Sequence, residues 1–200
     1  MNIILIHGAN ASNKSFALIV RELKKLDIKG VNFCYLSYDH KKGFAYNFPI
    51  MCNRLNDLEG DCILIGHSMG GIYATHLYKK FSNKIKTGIT IATPYLGLGS
   101  ALVTRWIFPF WQLLQDVSPT AYPVLGMQQV KFNIPWIQLV PTKGRTPWVS
   151  PFQNDGVVSN LSMTCRKDIQ YRYINSNHYE SLVDYKTTEI VNDTVKLWCG

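Results

Sequence analysis

The stretch Asp61-Cys-Ile-Leu-Ile-Gly-His-Ser-Met-Gly-Gly-Ile-Tyr-Ala-Thr-His-Leu-Tyr78 sets four apolar residues before a serine boxed by glycines, then continues in helical spacing. CILI (62–65) reads as a buried strand and 70–80 as a helix, so Ser68 falls on the turn between them. Such a turn is sharp. Side chains at its flanks would collide with the strand and the helix, and glycines at 66 and 70 remove the collision. The pattern G-x-S-x-G arises by chance often enough to mean little alone, and the strand before it and the helix after it give it weight.

Working outward, the same alternation continues in both directions. NIILI (2–6), VNFCYLSY (31–38), KTGITIA (86–92), IPWIQLVP (134–141) and IQYRYI (169–174) read as further strands. Helices are expected near 14–26, where Phe16, Ile19, Val20, Leu23 and Leu26 share a face, over 47–58, and at the close over 185–198. Strands alternating with helices predict right-handed crossovers and an α/β fold: about six strands in a mostly parallel sheet, with helices on both faces. In such sheets chemistry sits beyond the carboxyl ends of the strands.

With 200 residues, 46% hydrophobic and 17% charged, the chain reads as one compact domain spanning 1–200. One region breaks the rhythm: about 40 residues, 94–133, separate the fourth and fifth strands and include RWIFPFWQLL (105–114). A connection of that length is expected to be a lid or binding element.

Charge and cysteine usage exclude other classes. The excess of 21 Lys and Arg over 13 Asp and Glu gives +8, but it is scattered as pairs such as Lys24-Lys25, Lys41-Lys42, Lys79-Lys80 and Arg166-Lys167. A nucleic-acid binder gathers such charge into a stripe, so no nucleic-acid partner is expected. Transient contact with an anionic membrane surface is compatible with the excess. Five cysteines without paired spacing disfavour disulfides and a zinc site. MNIILIHG reads as a first strand rather than a signal peptide, and no run reaches membrane-spanning length, so a reducing cytoplasm is the expected compartment.

A serine hydroxyl needs a base, usually histidine, and the histidine needs a carboxylate to orient it. Of the five histidines, His7 ends the first strand, His40 follows the second, His67 lies inside the turn and His76 sits within the next helix. His178, in INSNHYE directly after the last strand, is in a loop at the reactive edge. Among the acids between Ser68 and His178, Asp168 precedes a strand and lies at the wrong end of the sheet, and Asp116 falls in the long insertion. Asp155, in QNDGVVS, is expected at the right edge on a turn. An oxyanion would need backbone donors: Met69 N–H at the start of the helix, and Ala9 N–H in His7-Gly8-Ala9-Asn10, with Asn10 close behind.

Taken together, the chain resembles the α/β-hydrolases, and among them small bacterial lipases and esterases. The HG of IHGAN, the GHSMGG turn, TP-x-x-G in ATPYLG (92–97), NDGVV and NHYE fall in that family's order and cover nearly the whole chain. The resemblance implies Ser68 as nucleophile, Asp155 as acid, His178 as base and backbone donors at Ala9 and Met69. The initial strands of larger relatives are missing. Some relatives bind calcium beside the histidine loop; Glu180 and Asp184 are there, but no full ligand set assembles, so neither metal nor cofactor is expected. The implied reaction is hydrolysis of carboxylic esters through an acyl-enzyme, with acyltransferase, thioesterase or amidase chemistry as alternatives on the same triad and a non-catalytic binding protein as the remaining one. Trp106, Ile107, Phe108, Phe110 and Trp111 are candidates to line an acyl pocket or form an interfacial lid, with an ordinary core helix as the plain alternative.

Overall fold

The computed structural model describes residues 1–108, 110–144 and 153–199. Six strands form a sheet in the order β2-β1-β3-β4-β5-β6, and every pairing is parallel. They are β1 (Asn2–Ile6), β2 (Asn32–Tyr35), β3 (Cys62–His67), β4 (Ile85–Ile91), β5 (Trp136–Pro141) and β6 (Gln170–Ile174). The helices are α1 (Ala17–Lys24), α2 (Gly43–Asn56), α3 (Met69–Lys80), α4 (Ala101–Ile107), α5 (Gln112–Asp116), α6 (Tyr122–Gln128), α7 (Asn160–Met163) and α8 (Tyr185–Cys199).

The unbroken apolar runs of the central strands follow from burial on both faces. Successive side chains of a strand point to opposite sides. Ile3 and Leu5 of β1 and Ile63 and Ile65 of β3 therefore pack against α1 and α8, through Ile19, Leu23, Val191 and Val195. Ile4, Ile6, Cys62 and Leu64 face the other layer, where Met51 and Leu55 of α2, Ile72 and Leu77 of α3, and Val124 and Met127 of α6 meet them. Truncating one of these, for example Ile65→Ala, is expected to cost about 2–5 kcal/mol.

Among the boundaries that differ from the sequence reading are those of α1, which runs Ala17–Lys24 after a 3-10 turn at Asn13–Phe16, of β2 and of α2. β2 ends at Tyr35, three residues early, and Leu36 turns inward as part of the core. Helix α2 starts at Gly43, four residues before the expected start, with Pro49 inside it. No local residue caps it. Instead Asp116, distant in sequence by 72 positions, accepts from the Phe44 N–H at 2.7 Å, and Asn47 Nδ2 donates to Gly43 O at 2.7 Å. The cap arrives from the 94–133 insertion, which carries α4, α5 and α6. Among the described residues no helix is long and apolar enough to cross a membrane, and all five cysteines are free.

Candidate active site

Because all six strands run the same way, the turns after β1, β3, β4 and β5 gather at one edge. Strain gathers there too. Of the four described non-glycine residues with positive φ, three sit on these turns: Asn10 (54°) after β1, Ser68 (52°) after β3 and Ala92 (54°) after β4. Such conformations cost of order 1–3 kcal/mol each and persist where the surroundings over-determine them.

Ser68 has φ 52° and ψ −121°, immediately before α3. Its N–H donates to Ile91 O at 2.8 Å, and Gly71 N–H donates to Ser68 O at 2.9 Å, so the strained peptide is held from both sides. The glycines are required by contact. A Cβ at Gly70 would stand 2.0 Å from Ile6 O, and one at Gly66 would stand 2.7 Å from Gly70 O. Backbone cannot yield at those distances, so the sequence pattern is the consequence of β1, β3 and α3 meeting at this turn. The hydroxyl of Ser68 makes no hydrogen bond with a described residue.

The structure brings Asp155 and His178 together. His178 Nδ1 lies 2.7 Å from Asp155 Oδ2, and the two side chains are 4% and 0% exposed, so water cannot compete for this bond. The carboxylate is further fixed by N–H groups of Val157 (2.9 Å) and Val158 (2.7 Å), both donating to Oδ1. Two more bonds strap the loops: His178 N–H donates to Asp155 O at 2.9 Å, and Asp155 N–H donates to Val158 O at 3.1 Å. A carboxylate only accepts, so Nδ1 carries the proton and the lone pair is left on Nε2. Such an imidazole can accept a proton at Nε2.

The Ala9 and Met69 N–H groups donate to no described residue. Met69 opens α3, where the first amides have no intrahelical partner and the helix dipole favours negative charge. The turn carrying Ala9 is held against Ser68: a Cβ at Gly8 would lie 3.2 Å from Ser68 Cβ. Tyr38 fixes that turn, its hydroxyl donating to His7 O at 3.0 Å and its ring stacking on His7 at 4.6 Å. Asn10 itself is exposed.

Of the histidines set aside on sequence grounds, three make contacts of their own. His76 Nε2 lies 2.8 Å from Pro123 O, joining α3 to α6, and burial lowers its pKa. His7 is buried with Nδ1 2.8 Å from Gly8 O, and burial lowers its pKa too. His67 is the one the sequence reading undervalued. Its Nε2 lies 3.0 Å from His178 O, a contact across 111 positions that no local pattern announces. Asp168 binds Arg166 and the Phe132 N–H, away from the site.

Glu180 and Asp184 are occupied as local acceptors, from Asn177 N–H and Lys186 N–H respectively. Among the described residues no group of three or more His, Cys, Asp or Glu could hold a metal ion. In the 94–133 insertion the plain core-helix alternative fails, because Trp106 is 76% and Phe110 99% exposed and Ile107, Phe108 and Trp111 are also exposed. They leave an exposed apolar surface on the insertion, with Phe108 and Trp111 in edge contact at 6.4 Å between centroids.

An all-parallel, doubly covered sheet with a strained serine turn and a buried Asp–His pair at its carboxyl edge defines an α/β enzyme fold. The chain belongs to the alpha/beta hydrolase family, whose model matches residues 3–171. No curated protein matches the sequence. Among solved structures, the fold is similar to that of a Bacillus licheniformis lipase in mature form, with TM-score 0.74 and 13% identity over 99% of this chain and 91% of that one. It is also similar to a metagenomic carboxyl esterase (TM-score 0.67, 14% identity, 89% of this chain and 64% of that one). A third likeness is to an alpha/beta superfamily hydrolase of Oenococcus oeni (0.63, 13%, 99% and 91%).

Proposed function

We propose that this protein is a serine hydrolase of carboxylic esters, with Ser68 as nucleophile, His178 as general base and Asp155 as the orienting acid. The observation that carries the reading is the buried 2.7 Å bond between Asp155 and His178, which leaves Nε2 as the basic atom of a ring 4.9 Å from that of His67, the residue before Ser68. In the proposed reaction Nε2 takes the Ser68 proton as Oγ attacks the ester carbonyl. The oxyanion is held by the Ala9 and Met69 N–H groups. Imidazolium, stabilised by Asp155, then protonates the leaving alcohol, and a water activated by the same ring releases the acid. No cofactor enters the scheme.

The exposed apolar residues Trp106, Ile107, Phe108, Phe110 and Trp111, together with Asn10 on the turn after β1, would form a rim to the site and favour hydrophobic acyl groups. The same rim in a chain of net charge +8 would act as a lid over the site and rest transiently against anionic lipid. Lipase and carboxyl esterase likenesses support an ester substrate. The test is labelling with a fluorophosphonate: wild type should react and Ser68→Ala should not, and labelling that survives in the variant refutes the assignment. A panel of p-nitrophenyl esters of rising chain length, with thioester and amide analogues, sets the substrate class; faster thioester or amide turnover replaces the esterase reading with its relatives.

A further inference from the structure

His67 is buried, stands directly before Ser68, and is not consumed by the proposed reaction. Its ring is 4.9 Å from the ring of His178, with Nε2 3.0 Å from His178 O. A carbonyl only accepts, so Nε2 is the protonated nitrogen and Nδ1 the acceptor. Nδ1 is buried and without a hydrogen-bond partner among the described residues. On its other side the ring meets the β1 turn, since a Cβ at Gly8 would lie 2.7 Å from Nδ1. One imidazole thus touches three segments: the serine turn that bears it, the loop of the proposed base and the turn of a proposed oxyanion donor.

The arrangement is costly for a residue that merely fills space. A leucine or phenylalanine would pack there without burying an unpaired acceptor. What offsets that cost is the bond to His178 O. Burial, with a smaller contribution from the nearby His178 ring, pushes the His67 pKa down to about 3. The ring therefore stays neutral at working pH, a permanent donor that adds no charge beside an imidazole due to become positive.

We propose that His67 is a positioning residue: its Nε2–H, aimed at the His178 carbonyl, sets the distance between the Ser68 turn and the base. The inference rests on the reading of Ser68 and His178 as nucleophile and base. Ser181 Oγ also donates to His178 O, at 2.7 Å, so the loop keeps one tie when His67 is replaced and the effect is graded rather than total.

Reach separates a positional role from a structural one. In His67→Gln the amide nitrogen extends about as far as Nε2, whereas in His67→Asn it stops near the position of Nδ1. Both introduce a neutral amide of similar burial cost. On a p-nitrophenyl ester, His67→Asn should lower kcat about tenfold or more with KM within about twofold, since small misplacements of a reacting group cost up to about a hundredfold. His67→Gln should recover most of that loss, and fluorophosphonate labelling rates should follow the same order. Thermal melts confirm that each variant is folded. Equal kcat in the two variants, or an Asn variant at the wild-type rate, overturns the proposal while Ser68→Ala still abolishes labelling. Should labelling survive Ser68→Ala, the reading beneath it falls first.

Discussion

Asp155 and Asp116 are both buried aspartates at the carboxyl edge of one sheet, and their surroundings differ in kind. Asp155 divides its oxygens between two backbone N–H groups and an imidazole. Asp116 accepts from the Phe44 N–H at the start of α2 and from Gln112 Nε2 at 3.1 Å, with no histidine in its bonds. Burial raises the Asp116 pKa, and those two bonds only partly oppose it. The buried hydroxyl of Tyr73 nearby meets no hydrogen-bond geometry among the described residues, and its own pKa is raised by burial and by the Asp116 charge, with Asn47 opposing. Burial alone does not make an acid chemical. What distinguishes Asp155 is a titratable partner with a free second nitrogen, whereas Asp116 ends in backbone and amide and serves to fasten the insertion to the core.

The sharpest way to break this contrast is to remove each carboxylate and measure turnover. Asp155→Ala is expected to lower kcat/KM on a p-nitrophenyl ester by about 10,000-fold, the scale seen when the acid of such a triad is lost. It also strands the Val157 and Val158 N–H groups, so Asp155→Asn is the cleaner variant: it keeps an acceptor for them but offers the ring the wrong hydrogen-bonding pattern. Its activity should fall comparably with a smaller loss of Tm. Asp116→Ala should leave kcat within a few-fold. A reversal, with Asp116 the larger loss, would transfer the role of acid to the insertion.

The second expected effect is on stability. Asp116→Ala removes the acceptor at the start of α2 and should cost about 1–2 kcal/mol in urea unfolding, as losses of helix caps do. Its pH dependence has a definite sign. A carboxyl whose folded pKa is raised favours the protonated native state, so its contribution is fully present below the unfolded pKa and is lost as pH rises through the folded value. Relative to Asp116→Asn, which stays neutral, wild type should therefore be most stable in acid and lose ground toward neutral pH. A flat difference between the two proteins from acid to neutral pH would show that the carboxyl is not strained by burial.

These two aspartates also mark how far the sequence could be read. The central strands β1, β3, β4 and β5 were legible because they are mostly apolar and buried on both faces, the half-exposed edge strands β2 and β6 through their short aromatic-rich runs, and the serine turn because Gly66 and Gly70 answer contacts made within a few residues of it or with the neighbouring β1. Asp155 and His178 were reached by asking which acids and histidines follow strands, a question topology can answer. The start of α2 was missed because its cap lies 72 positions away. His67 reads from sequence only as a residue of the turn, because its partner carbonyl is 111 positions away. Local pattern records what a segment buries, and long-range hydrogen bonds of this kind leave no periodic trace.

The smallest effect concerns the rim, where the same contrast between fastened and free groups recurs in apolar form. Phe110 is 99% exposed, so Phe110→Ser removes no native burial and should leave stability within about 0.5 kcal/mol of wild type. If the rim receives an acyl chain, the variant loses part of a phenyl contact with substrate. Burying a whole phenyl group is worth about 1.5–3 kcal/mol, and a partial contact of about 1 kcal/mol corresponds to roughly fivefold in affinity. KM for long-chain p-nitrophenyl esters should rise by that factor while KM for the acetate stays unchanged, because only the longer chain reaches beyond the serine turn. Equal changes for both esters would place the rim outside the path of the substrate, and the insertion would then be an appendage held by Asp116 rather than a surface that selects what enters.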